Sequence, residues 1–448
     1  MAVKPLRRVL IFAYFFPPLG GAGVQRVAKF AKYLPEEGWL PTVVTVRARD
    51  YWMSDPSLAL ELGSQVAVVR TRSLTGLALL RRLAPGHAGR LGGVRSSAGA
   101  IRRLRGLASW VLLPDSYVGW VPYAVRAGER LLREQRFDCI LTTSSPDSAH
   151  LIGRTLARRH HVPWIADFRD PWTRRLSFRP PTPWHLRRQR ALETDVLRSA
   201  DLVTVTAEET RSDYLAHNPW LEQGKIRVLT NGYDEEDFAP FASERPPRDA
   251  LRILHAGQLN PERPVRPFLE GVSAFLRRRP EARNRLRISF IGPFYAGEAE
   301  AARHLGLVDV ISFEPGRPHR EIVKELLRSH LLLLLEQGSD RGSLILPGKI
   351  FEYLRSGRPI LGLLPRGAAW RLISSLQAGR CCPIGDAEAC ASALEAFDDA
   401  YLAGGPPATE IAPERLAAFE RRSLTRRLAS LLDQVSGAAT DLPKSIPD

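Results

Sequence analysis

Short runs of apolar residues recur along the first half of the chain, separated by segments whose apolar positions repeat every three or four residues. Such runs are typical of buried strands, and the segments between them of amphipathic helices. The pattern predicts strands over 9–16, 42–46, 139–143, 164–168, 202–206 and 226–229. It predicts helices over 24–34 and 148–159. Strands and helices that alternate at this pitch imply a parallel sheet covered on both faces.

The alternation restarts after a turn-rich stretch near residues 235–250. Further strands are predicted over 252–257, 287–291, 310–313, 331–335 and 360–364. A helical pattern then follows Pro413 to about Val435. We therefore predict the α/β class, with two doubly wound, Rossmann-like domains over 1–236 and 249–412 and a helix at 416–436 that packs back on the first domain. Because open parallel sheets bind ligands at the carboxyl ends of their strands, two facing sheets would enclose a cleft.

Size and composition are compatible with two cores, since the chain has 448 residues of which 44% are hydrophobic. The four cysteines are Cys139, Cys381, Cys382 and Cys390, and their spacing fits neither a zinc site nor a disulfide framework. A reducing, cytoplasmic environment is therefore expected. No apolar run reaches the length of a membrane span, and the short run that begins at Val9 is interpreted as a first strand rather than a signal peptide.

The charge is strongly positive and unevenly distributed. The formal net charge is +16, and no acidic residue occurs from Leu62 to Pro114, while nine arginines lie between Arg70 and Arg105. Arginines interleaved with leucines favour docking on an anionic membrane surface, at the inner face of the membrane. A solvated basic loop is the alternative. Nucleic acid is not an expected partner, because the chain carries none of the common nucleic-acid-binding signatures.

The most informative stretch runs from Pro347 to Leu361. Pro-Gly at its start and Gly357 at its end predict a short helix after the strand at 331–335. Lys349 and Glu352 would share one face of the first turn. A helix N-terminus with a lysine suits a phosphate, and a carboxylate suits a pair of sugar hydroxyls. The pattern predicts a sugar-nucleotide site, against the alternative of a chance Lys-Glu pair on a surface helix.

Other candidate residues follow predicted strands of the first domain. Gly20, Gly21 and Gly23 lie in the loop after the first strand, where glycine permits close approach of a ligand to the backbone. Asp167, Arg169 and Asp170 lie at the end of the strand over 164–168. Two acids around an arginine at that place indicate catalytic groups, or alternatively a local ion pair that stabilises a turn.

The second domain offers three more candidates. Gly257 and Arg263 lie in the loop after its first strand, and Glu336 ends the strand over 331–335. An arginine there could bind a diphosphate through its two-pronged guanidinium, or could simply be solvated. Glu336 could also face the cleft.

The order and spacing of these motifs resemble the family 4 glycosyltransferases of the GT-B fold, most closely the branch that builds bacterial surface polysaccharides and glycolipids. The resemblance rests on the glycine loop, on Asn231-Gly232-Tyr233-Asp234, and on Lys349-Ile-Phe-Glu352-Tyr, and it extends from Val9 to about Val435. It implies transfer of a hexose-type sugar from a nucleoside diphosphate sugar to a hydroxyl acceptor, such as a lipid-linked or envelope glycan precursor. It further implies retention of configuration, with neither a metal nor another cofactor.

By that resemblance, Glu352 would hold the ribose hydroxyls of the donor, and Lys349 with Arg263 would neutralise its diphosphate. The glycine loop would lie under the same diphosphate. Three positions depart from the family pattern: Leu344 replaces the first glutamate of a pair, Arg169 replaces a histidine and Gln258 replaces an arginine. These departures leave two alternatives, a GT-B sugar-nucleotide epimerase and a catalytically inactive scaffold that binds sugar nucleotides.

Overall fold

The structure is a computed structural model that describes residues 6–20, 22–47, 57–74, 110–259, 265–404 and 409–437. Two compact units divide the chain, one formed by residues up to Leu229 with those from Arg422 onward, the other by Thr230–Arg421. Each unit is built on a parallel sheet with helices between its strands. The predicted class, α/β with two doubly wound domains, is therefore confirmed. Within the described residues, no helix combines the length and the apolar character needed to cross a membrane.

The first unit contains a seven-stranded parallel sheet in the order β3-β2-β1-β4-β5-β6-β7. Its strands are β1 (Arg7–Phe12), β2 (Trp39–Val46), β3 (Ala67–Thr71), β4 (Cys139–Ser144), β5 (Trp164–Phe168), β6 (Leu202–Val205) and β7 (Ile226–Val228). Its helices are α1 (Ala22–Tyr33), α2 (Ser57–Leu60), α3 (Val121–Glu134), α4 (Ser148–His160), α5 (Pro183–Ser199) and α6 (Glu208–His217).

Alternate residues of β1 enter two separate cores, one on each face of the sheet. Leu10 and Phe12 pack into one core, and Val9 and Ile11 into the other. This division follows from the period of two along a strand, and it explains why the strand reads as a continuous apolar run. The second core also contains Leu428, which belongs to the last described helix of the chain.

The second unit contains a six-stranded parallel sheet in the order β10-β9-β8-β11-β12-β13. Its strands are β8 (Leu251–Ala256), β9 (Leu286–Ile291), β10 (Ile311–Glu314), β11 (Leu331–Leu335), β12 (Ile360–Leu363) and β13 (Gly379–Cys382). Its helices are α7 (Glu235–Phe238), α8 (Arg266–Arg278), α9 (Ala296–His304), α10 (His319–Leu327), α11 (Lys349–Ser356), α12 (Ala368–Ser375), α13 (Ala387–Leu402) and α14 (Pro413–Ala417). The last helix, α15 (Arg421–Val435), begins at the boundary between the units.

The centre of this second sheet is the run of five leucines that forms β11. None of the five is more than 2% exposed, so both faces of the strand are covered. Burial of each leucine side chain stabilises the fold by about 1.5–3 kcal/mol. The strand is hydrogen-bonded on both sides, because it pairs with β8 and with β12.

Each sheet has one place where the chain reverses the direction in which it adds strands. In the first sheet this topological switch point lies between β1 and β4, and in the second between β8 and β11. Ligands of open parallel sheets bind outside the carboxyl ends of the strands at such a point. The loops that follow these four strands are therefore the places to look for a site.

Candidate functional site

The glycine that follows β8 lies directly under the ammonium group predicted to bind phosphate. Gly257 has a φ of +134°, and a Cβ added there would approach within 2.5 Å of Lys349 Nζ. Only glycine adopts this backbone conformation without strain, and only glycine leaves room for the ammonium. Two residues singled out from the sequence, 92 positions apart, thus meet at the switch point of the second sheet.

His255 contacts this lysine and was not among the residues predicted from the sequence. Its Nδ1 is 2.9 Å from the carbonyl oxygen of Leu333 and its Nε2 is 3.4 Å from Lys349 Nζ. Because a carbonyl only accepts, Nδ1 donates the hydrogen bond, which leaves Nε2 of the neutral ring to accept from the ammonium. A buried neutral imidazole therefore fixes the position of Lys349.

The imidazole has space because the two central strands separate at this point. β8 and β11 are paired only through Ile253 with Leu331 and Leu254 with Leu332. Beyond them, the His255 side chain crosses the gap to β11. Helix α11 is anchored to the same strand end, since the amide of Ala256 donates to Tyr353 Oη at 3.0 Å. The N-terminus of α11 is thereby held at the carboxyl edge of the sheet.

Glu352 lies one turn further along α11 and contacts a second histidine that was not predicted from the sequence. His319 Nε2 is 2.9 Å from Glu352 Oε1. Burial acts to raise the pKa of Glu352, but His319, Arg421 and Lys349 outweigh it and leave the pKa below its usual value. The carboxylate is therefore ionised at neutral pH and able to accept hydrogen bonds. The nearest sequence signal was the Pro-His pair that opens α10.

The remaining predicted residues of this unit lie at the same edge or outside the described part. Glu336 directly follows β11 and is 3% exposed, and its amide continues the ladder to the carbonyl of Leu363 at 3.2 Å. Arg263 lies outside the described residues. The structure thus brings together Gly257, Lys349, Glu336 and Glu352 around the ends of β8 and β11.

In the first unit, Arg169 connects the first turn of α1, which follows β1, with the end of β4 and the loop after it. Its Nη1 donates to the carbonyl of Gly23, and its Nη2 donates to that of Ser145 at 2.9 Å. Nε donates to the carbonyl of Ser144. Burial lowers the pKa of Arg169, and Asp170 opposes this shift. The guanidinium therefore lies across the switch point of the first sheet.

The predicted glycine loop is part of this arrangement. A Cβ added at Gly23 would lie 3.1 Å from Arg169 Nη1, so glycine allows the guanidinium to approach the first turn of α1. Gly20 is buried just before that turn. Gly21 lies outside the described residues.

Asp167 lies within β5 and is surrounded by donors. It accepts from Arg26 Nη2 at 2.8 Å and Arg26 Nε at 3.1 Å, and from the hydroxyls of Thr143 at 2.8 Å and Thr204 at 2.7 Å. Burial acts to raise the pKa of Asp167, but the charge and hydrogen bonds of Arg26, with those of the two threonines, lower it overall. This carboxylate fixes Arg26, which also donates to the carbonyl of Leu229 at 2.9 Å, while Asp170 is half-buried beside Arg169.

Two further ionisable residues, Asp147 and His150, lie beside the loop after β4, and neither was predicted from the sequence. Arg175 Nη1 is 2.6 Å from Asp147 Oδ2, and burial raises the pKa of Asp147 to about 7 against the effect of that arginine. His150 stacks on Phe168 with ring centroids 4.3 Å apart, and burial lowers its pKa to about 3. The carboxyl edge of the first sheet therefore carries the neutral imidazole of His150 and the carboxyl group of Asp147, whose pKa is about 7.

The basic segment assigned to a membrane surface lies mostly outside the described residues, which resume at residue 110. Arg70 is described, and its Nη2 donates to the carbonyl of Pro17 at 2.5 Å. The guanidinium of Arg70 is thus used within the fold. The docking role of the segment stays a prediction.

Comparison with known proteins gives this geometry a context. Residues 20–232 match the family described as Glycosyl transferase 4-like domain. Over 184 residues, 38% of this chain, the sequence is 29% identical to D-inositol 3-phosphate glycosyltransferase of Streptomyces scabiei, and it is 27% identical over 196 residues to the protein of that name from Streptomyces coelicolor. These matches span about two fifths of the length of each relative.

Solved structures match over nearly the whole chain. Sucrose-phosphate synthase from Thermosynechococcus elongatus is 14% identical with a TM-score of 0.63, covering 97% of this chain and 100% of its own. Alpha,alpha-trehalose 6-phosphate synthase from Burkholderia multivorans is 12% identical with a TM-score of 0.63, and the match covers 97% of this chain and 98% of the synthase. Anabaena Alr3699/HepE in complex with UDP and glucose is 13% identical with a TM-score of 0.53, and the match covers 96% of this chain and 97% of Alr3699/HepE. Residues 20–232 are therefore similar to a glycosyl transferase 4-like domain, and the chain has the GT-B fold.

Proposed function

We propose that the protein is a glycosyltransferase that moves a sugar from a nucleoside diphosphate sugar to a hydroxyl acceptor. The observation that carries the proposal is the Lys349 ammonium over Gly257, at the switch point of the second sheet and beside the N-terminus of α11. A positive group at the N-terminus of a helix is suited to a diphosphate. The UDP and glucose held by Alr3699/HepE, which has the same fold, support this choice of donor.

In the proposed reaction, cleavage of the bond between sugar and phosphate places negative charge on the leaving diphosphate. Lys349 and the α11 amides stabilise that charge where it develops, and because they are already fixed in place, little reorganisation is needed. Glu352 accepts hydrogen bonds from the ribose hydroxyls, and Arg263 adds charge to the diphosphate site. Retention, a hexose as the transferred sugar, and independence of metal are parts of the same proposal.

The acceptor binds at the edge of the first sheet in this proposal, near Arg169, Asp170 and the loop after β4. We propose a lipid-linked or envelope glycan precursor as the acceptor, used by a protein at the inner face of the membrane. The names of the curated relatives add a second acceptor to test, D-inositol 3-phosphate. Both acceptors present a hydroxyl group to the donor.

A thermal-shift screen across UDP, GDP, dTDP and CMP sugars tests the donor. One nucleotide class is expected to raise the unfolding temperature, because a ligand at a hundred times its Kd stabilises the folded state by about 2.7 kcal/mol. The shift should disappear in Lys349→Ala. Absence of any shift in the unmodified protein at millimolar ligand would contradict the proposal.

A second prediction concerns His255. His255→Phe removes the acceptor that holds the Lys349 ammonium, so kcat/KM for the donor is expected to fall about tenfold, with the protein folded. The matched control is His330→Phe, because His330 lies at the amino edge of the same sheet, where its ring accepts from the amide of Arg252 and packs against Tyr401. Steady-state kinetics at varied donor concentration measure the effect. Equal losses in the two variants would show that His255 has only a structural role.

A further inference from the structure

A basic pocket lies at the amino edge of the second sheet, away from the proposed donor site. Its volume is about 320 Å³, and its lining includes Arg245, Arg355 and Arg358 together with Phe238 and Leu327. Helix α11 begins at Lys349 and ends at this pocket. Eight residues at a rise of 1.5 Å each place the two ends of the helix about 12 Å apart. The pocket is therefore separate from the groups around Gly257.

Of the three arginines in the pocket, only Arg355 is paired with a carboxylate of the described residues. Arg355 is paired through both prongs of its guanidinium with Glu235. Arg245 donates to the carbonyl oxygens of Ala242 and Glu244, both at 2.8 Å, and Arg358 Nη2 donates to that of Leu327 at 2.9 Å. Within the described part of the chain, no carboxylate oxygen lies within 4 Å of either Arg245 or Arg358. Two guanidinium charges thus lie in one pocket without a counterion.

One donor in the pocket is left without an acceptor. Arg358 Nε is buried and makes no hydrogen bond with the described residues. Burial lowers the pKa of Arg358, and the charge of Arg245 lowers it further, which shows that the two groups repel each other. A buried unsatisfied donor and a like-charge repulsion both cost free energy. A bound anion would relieve both.

The shape of the pocket limits the size of that anion. A volume near 320 Å³ is at the lower end for small-molecule sites. The mouth of the pocket is open beside Gly357, where an added Cβ would meet no atom within 4 Å. Guanidinium groups bind phosphate oxygens in a two-pronged geometry, and Phe238 and Leu327 offer a small apolar wall.

We propose that this pocket is a second anion site, which binds a small phosphate group through Arg245 and Arg358. The phosphate can be free in solution or can belong to the headgroup of a lipid. The site does not depend on the proposed transfer reaction, because none of its residues contributes to the donor site.

The test uses the full chain with Lys349→Ala as the background, so that phosphate bound at the donor site does not contribute. Isothermal titration with inorganic phosphate, at an ionic strength held constant with chloride, should show binding. Arg245→Gln and Arg358→Gln should each weaken it about tenfold or more. Arg245 is exposed, so its variant keeps the fold, and Arg277→Gln, on the exposed face of α8, is the control that should bind normally.

A second arm distinguishes the source of the phosphate. Flotation with vesicles that contain phosphatidate is compared with flotation with neutral phosphatidylcholine vesicles. Arginine-dependent binding of inorganic phosphate supports a soluble ligand, and arginine-dependent binding of phosphatidate vesicles alone supports a lipid headgroup. The proposal is overturned if neither probe binds, or if binding is the same in the two variants and in the control.

Discussion

Lys349→Ala should lower kcat for sugar transfer by about 10²–10³-fold while the protein remains folded, because it removes a fixed donor from the charge that develops on the leaving diphosphate. The ammonium is pre-positioned, since it lies over Gly257 and donates to His255 Nε2 at 3.4 Å. Alanine offers no replacement, and water at this place would have to reorganise during the reaction. Initial rates at saturating donor measure kcat directly.

The matched control is Lys324→Ala, which removes a half-exposed lysine of α10 that pairs with Glu244. Its kcat should stay within about twofold of the unmodified protein, since surface ion pairs contribute little. Circular dichroism before and after heating establishes that both variants fold. If Lys349→Ala retains full activity, the donor site lies elsewhere and the assignment of α11 must be withdrawn.

The central strands were predictable because a strand that is buried on both faces consists of a continuous run of apolar residues. β5 and β11 have the predicted bounds, 164–168 and 331–335. Two edge strands, β3 and β13, were not predicted. β3 is partly exposed along its length, and β13 consists of Gly-Arg-Cys-Cys, so neither shows a continuous apolar run. An edge strand is stabilised by pairing with one neighbouring strand, and the local sequence pattern does not show which strand that is.

Two element boundaries differ from the sequence pattern for local reasons. The strand predicted over 9–16 ends at Phe12, since the buried residues that follow it form a loop before Pro17. The helical pattern after Pro413 is divided into α14 and α15. Between those helices the chain forms a bridge with Tyr233, whose carbonyl accepts from the amide of Arg421 at 2.8 Å. Contacts across about 190 residues cannot be read from periodicity.

The candidate site was predictable as a set of loops but not as a set of contacts. The loop after a predicted strand selected Gly257, the start of a predicted helix selected Lys349, and the two meet in the structure. His255 was missed because it reads as one more position in a buried strand. Its role depends on the separation of β8 from β11, which is a property of the whole sheet.

The motif Asp167-Phe168-Arg169 shows why adjacent residues in a motif need not act together. Side chains in a strand point alternately to opposite faces. Asp167 therefore turns to the face covered by α1, while Phe168 stacks on His150 on the other face. Arg169 lies beyond the strand end and reaches the carbonyls of the first turn of α1 and of the loop after β4. A reading based on sequence distance alone places all three around one ligand.

Asp167→Asn should lower the free energy of unfolding by about 3–5 kcal/mol, because it leaves the Arg26 guanidinium buried without its counterion. Arg26 is 2% exposed and Asp167 is 3% exposed. The pairing register places Thr143 and Thr204 on either side of Asp167, so the carboxylate has donors from three directions. An amide offers one acceptor oxygen in place of two and adds a donor that faces other donors. Urea denaturation at pH 7 measures the loss.

The pH dependence of that loss provides a further check. The pKa of Asp167 is lowered in the folded protein, so its contribution to stability is fully present above the unfolded pKa, near 4, and disappears as the pH falls through the folded pKa. The difference between Asp167→Asn and the unmodified protein should therefore shrink below about pH 4. Asp170→Asn is the control, because its half-buried carboxylate lies beside Arg169 outside the Arg26 network, and its cost should stay below about 1 kcal/mol. A variant Asp167→Asn that is as stable as the unmodified protein but inactive would instead assign this carboxylate to catalysis.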